Sequence, residues 1–129
     1  MSLRWIPHRF VVLPFLALLL ITGCGQSSTD TSPIDRHAGR LIFTRHARCR
    51  MDCRHITEKE VKGAVEKGEI NYRKTQRNAS PCPKYAVEEY VDGKRVRLII
   101  GDCDEKAVVI TVIDLDHEFE CNCQGDEEK

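Results

Sequence analysis

The residues best suited to chemistry in this 129-residue chain are its seven cysteines, and position divides them into two groups. Cys24 directly follows Ile21, Thr22 and Gly23, at the end of an apolar run from Phe10 to Ile21 that Arg4 and Arg9 precede. A basic start, a short apolar segment and small residues leading into cysteine form the pattern of a bacterial lipoprotein signal peptide. Residues 1–23 are then expected to be removed, and Cys24 to carry a diacylglycerol thioether and an amide-linked chain. The apolar run is twelve residues long, well short of the roughly 20 that an ordinary transmembrane helix needs. One acyl chain holds a protein to a bilayer only marginally, whereas several hold it stably. The expected partner is therefore a membrane, reached through lipid on Cys24. Gly25, rather than Asp, after the cysteine favours the outer membrane, with the chain facing the periplasm or the cell surface.

Six cysteines remain: Cys49, Cys53, Cys82, Cys103, Cys121 and Cys123. An even set in an exported chain reads as a disulfide framework, because the envelope is oxidising. A direct bridge is awkward between Cys49 and Cys53, one helical turn apart, and between Cys121 and Cys123, one residue apart. The economical arrangement joins one couple to the other, stapling the end of the chain to the first helix, and leaves Cys82 for Cys103. The alternative is a four-thiolate metal site of Cys49, Cys53, Cys121 and Cys123. Cys49-x3-Cys53 fits the usual zinc spacing of two to four intervening residues, but Cys121-Asn122-Cys123 does not. Disulfides are favoured, and no motif implies a cofactor.

A second constellation is basic. His46, Arg50 and Arg54 lie at i, i+4 and i+8 and share a helix face, with Arg97 expected to approach from the sheet. An imidazole base beside cations is what phosphodiester cleavage needs. The competing reading has His46 hydrogen-bonded at a helix start and the arginines neutralised by the acidic end of the chain, and it is favoured. Cys49, three residues beyond His46, would be a nucleophile only as a free thiol of low pKa, which the even cysteine count argues against. His37, His46, His55 and His117 form no His-x3-His pair, and there is no phosphate-cradling glycine loop or Gly-x-Ser-x-Gly elbow.

Charge is balanced, with 20 Lys/Arg against 20 Asp/Glu, and does not suggest a nucleic-acid partner. Its distribution is uneven: residues 36–77 hold 12 basic against 5 acidic side chains, and residues 102–128 hold 1 against 10.

The elements that must position these groups follow from pattern. Gly25 to Arg36 is polar and proline-bearing, and residues 24–40 are expected to form a flexible tether. Leu41-Ile42-Phe43 suits a strand, and Thr44 an N-cap for a helix from Arg45 to about Arg54 with Ala47 and Met51 inward. Thr57-Glu58-Lys59-Glu60 is a capping box with Ile56 and Val61 as its hydrophobic staple. Val61, Ala64 and Val65 form that helix's buried face, and Gly68 closes it at the C′ position. Residues 71–84 read as a loop. Strands follow at Tyr85–Val91 and Lys94–Ile100, joined by the hairpin signal Asp92-Gly93. Gly101 to Lys106 turns the chain into a last strand at Ala107–Ile113. The fold class is α+β, in the order β-α-α-β-β-β, with two helices on one face of a small antiparallel sheet. Residues 115–129 form an acidic, irregular tail.

Phe43-Thr44-Arg45-His46-Ala47-Arg48-Cys49-Arg50-Met51, then Ile56-Thr57, Val61, Gly68-Glu69 and Val109-Ile110-Thr111-Val112, resemble the bacterial domain of unknown function DUF4258 over about residues 41–114. Cys49 and Cys53 fall where such domains usually carry charged or polar side chains. The resemblance implies an element order similar to the RelE/ParE-like toxin fold, some of whose members cleave RNA, but fold alone does not carry function. The combined expectation is a lipid-anchored, disulfide-stapled envelope protein with a binding or structural role toward an envelope protein or ligand. The alternatives are a divergent nuclease of RelE type and a cysteine-based metal or redox protein.

Overall fold

The computed structural model describes residues 32–123. The lipoprotein pattern, Cys24 and the last six residues lie outside them. Strands β1 (Ile42–Phe43), β2 (Glu69–Ile70), β3 (Lys84–Val91), β4 (Lys94–Cys103) and β5 (Lys106–Asp114) form one sheet in the order β1-β5-β4-β3-β2. Helices α1 (Arg45–Cys53) and α2 (Glu58–Lys67) connect β1 to β2.

Two expectations about the sheet are corrected. It is mixed rather than wholly antiparallel, because β1 runs parallel to β5, with Ile42 opposite Val108 and Phe43 opposite Val109. It also carries a fifth strand, Glu69–Ile70, bonded antiparallel to β3. The parallel edge follows from α1: Thr44 donates its backbone N–H to Val109 O at 3.1 Å and its hydroxyl to Ile110 O at 3.0 Å. The same hydroxyl accepts from Ala47 N at 3.0 Å, so one side chain caps α1 and fixes it to β5.

Both helices cover one sheet face. Ala47 and Met51 of α1 and Val61, Ala64 and Val65 of α2 pack on Val87, Val96, Leu98, Ile100, Val109 and Val112. The capping box closes as its spacing requires: Thr57 donates its backbone N–H to Glu60 Oε2 at 2.6 Å, and Glu60 N donates to Thr57 Oγ1 at 3.3 Å. Helix α1 ends in a Schellman motif, with Ile56 N donating to Met51 O and His55 N to Asp52 O. His55 takes the left-handed position at φ 53°, where glycine is usual.

Three local expectations are also revised. Gly68 ends α2 with φ −67°, not in the left-handed region. It must be glycine because a Cβ there would lie 2.6 Å from Val87 Cγ1 and 2.9 Å from Glu88 O, besides meeting Ala64 O. Residues 101–106 are not a turn: β4 runs through Cys103, and Asp104 and Glu105 turn the hairpin at φ 53° and 60°. Gly101 stays in the strand, its missing side chain leaving room for Cys103 Sγ, Cys82 Sγ and Ile110 Cδ1.

Finally, residues 32–40, read as part of the tether, belong to the folded unit. Ile34 is in the core, and Arg36 donates to Val65 O at 2.9 Å and Gly68 O at 2.8 Å. Those two carbonyls end α2 and lack intrahelical donors, which a guanidinium supplies.

Candidate functional site

The basic face of α1 and the cystines beside it are the part of the molecule richest in reactive groups. Thr44 sets the start of the helix, and a shallow cleft of ≈ 540 Å³ opens there, lined by Thr44, Arg45, His46, Cys49 and Asn122. Arg50 Nε donates to His46 Nε2 at 3.4 Å, so two of the expected residues do meet. Of these, His46 lines the cleft, and the Arg54 guanidinium donates to Val112 O on β5.

Arg97 lies elsewhere. On β4 it alternates with the core residues Val96 and Leu98, so it projects from the sheet face opposite the helices. There it donates from Nε to Glu88 Oε1 at 2.6 Å, and Asn71 Nδ2 donates to the same oxygen at 2.8 Å. Burial raises the Glu88 pKa, but the Arg97 and Asn71 hydrogen bonds outweigh it and hold the carboxyl below its usual 4.5. The expectation that Arg97 approaches His46 is therefore corrected by strand parity.

Arg48 Nη1 binds Glu58 Oε1 at 2.6 Å and lies 5.1 Å above the centroid of the Phe43 ring, while Asp116 pairs with Arg95 of β4. The Arg48 hydrogen bond is the main reason the Glu58 pKa is lowered.

The cysteines carry the clearest arrangement. Cys49 bonds to Cys123 and Cys53 to Cys121, with Cα separations of 5.9 and 5.8 Å, and Cys82 bonds to Cys103 at 5.2 Å. The residues one turn apart on α1 thus match those two apart in the extended tail, and two parallel bridges clamp 121–123 along the helix. The four sulfurs of the thiolate alternative are joined pairwise in this structure, and among the described residues no three His, Cys, Asp or Glu side chains gather as metal ligands.

One pairing was missed in the sequence. Asp114, with a side chain 1% exposed, faces His117 Nδ1 at 3.2 Å and accepts from the backbone of Asp116 at 2.9 Å and of His117 at 3.0 Å. Burial raises the Asp114 pKa and these donors more than reverse it, so it lies below 3.8. The signal was Asp-Leu-Asp-His directly after a β-branched run, an Asx turn that starts the tail.

Chemically, Arg45 and His46 at the α1 N-terminus, where the first backbone N–H groups point outward, can attract an anion. Arg97 bonds Glu88 on the opposite sheet face and Arg54 donates to Val112 O, so of the expected set His46 and Arg50 are seen in contact.

A sequence-family model described as a domain of unknown function (DUF4258) matches residues 43–114. No curated protein and no solved structure matches the chain. The matched span begins in β1 and ends with β5, so it holds the sheet and both helices but neither Cys121 nor Cys123. The chain belongs to the DUF4258 family, with a stapled tail added beyond the family domain.

Proposed function

We propose that this is a lipid-anchored accessory protein of the bacterial cell envelope, with a binding or structural role. The observation that carries the reading is the pairing of all six cysteines after Cys24 into three cystines, the economy expected of a small domain in an oxidising compartment. Ile21-Thr22-Gly23-Cys24 supplies the anchor in this reading, and residues 24–31 the link to the fold. Among the described residues no helix is long and apolar enough to cross a membrane. The DUF4258 domain acts as the scaffold, and the envelope partner meets its surface. The dispersal of Arg54 and Arg97 supports a binding role over a nuclease of RelE type.

Fractionation of cells expressing the full chain tests the anchor. The parent chain is expected in the outer-membrane fraction and Cys24→Ser in an unprocessed, unacylated form. Full processing and soluble release of the parent chain would contradict the reading.

A further inference from the structure

The segment between β2 and β3 was read only as a loop, yet its charge is all of one sign. From Ile70 to Val87 there is no Asp or Glu, while Arg73, Lys74, Arg77 and Lys84 fall within it. Arg73, Lys74 and Arg77 are exposed, and among the described residues none of the three pairs with a carboxylate. Beside them Tyr72 is 56% exposed, with the Arg77 guanidinium 5.0 Å from its ring centroid.

The loop is built rather than slack. Asn71 Oδ1 accepts from Arg73 N at 3.1 Å, and Asn71 O accepts from Lys74 N at 3.1 Å and Thr75 Oγ1 at 3.0 Å. Gln76 and Lys84 exchange two backbone hydrogen bonds, and the Cys82–Cys103 bridge ties the far end to β4. This frame presents the cations and the aromatic ring outward without further ordering on contact, which lowers the entropic cost of binding.

Its cations and exposed tyrosine, on a chain tethered this closely, favour one occupant. Ser32 stands eight residues after Cys24, a reach of at most about 29 Å whatever its path, and a unit of this length is only about 30 Å across. The chain enters at the end of α2, where Arg36 binds Gly68 O, four residues before Tyr72. With Cys24 lipidated, that reach keeps the whole unit beside the bilayer, and a basic loop with an interfacial tyrosine is the part of it complementary to anionic head groups. We propose that the 71–84 loop docks on anionic phospholipid head groups of the membrane that holds the chain, an inference that rests on the lipid anchor at Cys24. Docking orients the domain on the surface, so that the acyl chains hold it and the loop sets which face looks outward.

The test uses residues 24–129 carrying Cys24→Ser, which retain every described core residue and all three cystines. Co-sedimentation is measured with phosphatidylcholine vesicles and with vesicles containing one quarter phosphatidylglycerol. Binding is expected only to the second, weakening as salt rises. Each cation near the surface is worth about fivefold in partition, so R73Q/K74Q/R77Q together should lose roughly a hundredfold. The equal charge change K59Q/K62Q/K67Q on α2 should lose far less, and Tyr72→Ser should weaken binding while leaving all four cations in place. Equal binding to both vesicles, or a loop variant that binds like the parent, overturns the proposal, as does an equal loss in the α2 variant. Intact mass of the chain purified from native membranes reads the anchor separately. A bare Cys24 defeats the anchor reading, whereas acylated Cys24 with an indifferent loop defeats only this proposal.

Discussion

Single side chains settle where the groups of this domain can and cannot meet. Arg97 belongs to Glu88 because the two stand opposite each other in the β3–β4 register, on the face away from α1. His46 keeps Arg50, its neighbour one turn on, and Thr44 anchors both through β5. Gly68 acts through the atom it lacks. In Gly68→Ala the new Cβ has backbone oxygens and Val87 to displace, and overpacking of that kind costs about 1–3 kcal/mol. Urea unfolding of Gly68→Ala should show that loss with an unchanged slope; stability equal to the parent would mean that α2 and β3 can separate freely.

Among the elements, α1 and the tail form a unit that neither makes alone. The two bridges span 74 and 68 residues of sequence but lie side by side. Either one alone closes the long loop, and the second then closes only a small ring between them. By loop entropy, removing one as a Cys→Ser pair should cost roughly 2 kcal/mol and removing both about 6. Guanidinium unfolding of the three double and quadruple variants checks this, and equal single and summed losses would show that the bridges act independently.

Much at this scale was legible in the sequence. Thr57 with Glu60, Asp92 with Gly93, and the inward pairs Ala47/Met51 and Val61/Val65 each carry a local physical signature. What was not legible depends on partners distant in sequence. Nothing in Ile42-Phe43 says that they pair parallel to β5, because a two-residue strand has no turn to fix its direction. Asp104-Glu105 turns a hairpin with two charged residues at positive φ, against their ordinary preference. Ile34 and Arg36 look like linker until α2 offers a groove and two open carbonyls. For the candidate site, the cysteine couples were readable from spacing, whereas the separation of Arg97 from His46 required knowing which face each strand residue takes.

For the whole molecule, several carboxylates are stabilised in their charged form by the fold. Burial raises the pKa of Asp114, Glu88 and Glu60, and hydrogen-bond donors more than reverse it, so each ends below its ordinary 3.8 or 4.5. A carboxyl with a lowered folded pKa contributes stability that is complete above the unfolded value and lost as pH falls through the folded one. Stability should therefore hold from neutrality to about pH 4.5 and fall below it. Asp114→Asn should flatten that acid limb. Unfolding midpoints across the range check this, and an acid limb unchanged in Asp114→Asn would remove Asp114 from the account.

The most direct test of the account is the intact mass and thiol count of mature protein purified from its native membrane without reductant. The account predicts lipid on Cys24, no free thiol, and a mass six hydrogens below that of the reduced chain, matching three cystines. Four free thiols at Cys49, Cys53, Cys121 and Cys123, or a metal retained in the native spectrum, would contradict it and make those cysteines the working site.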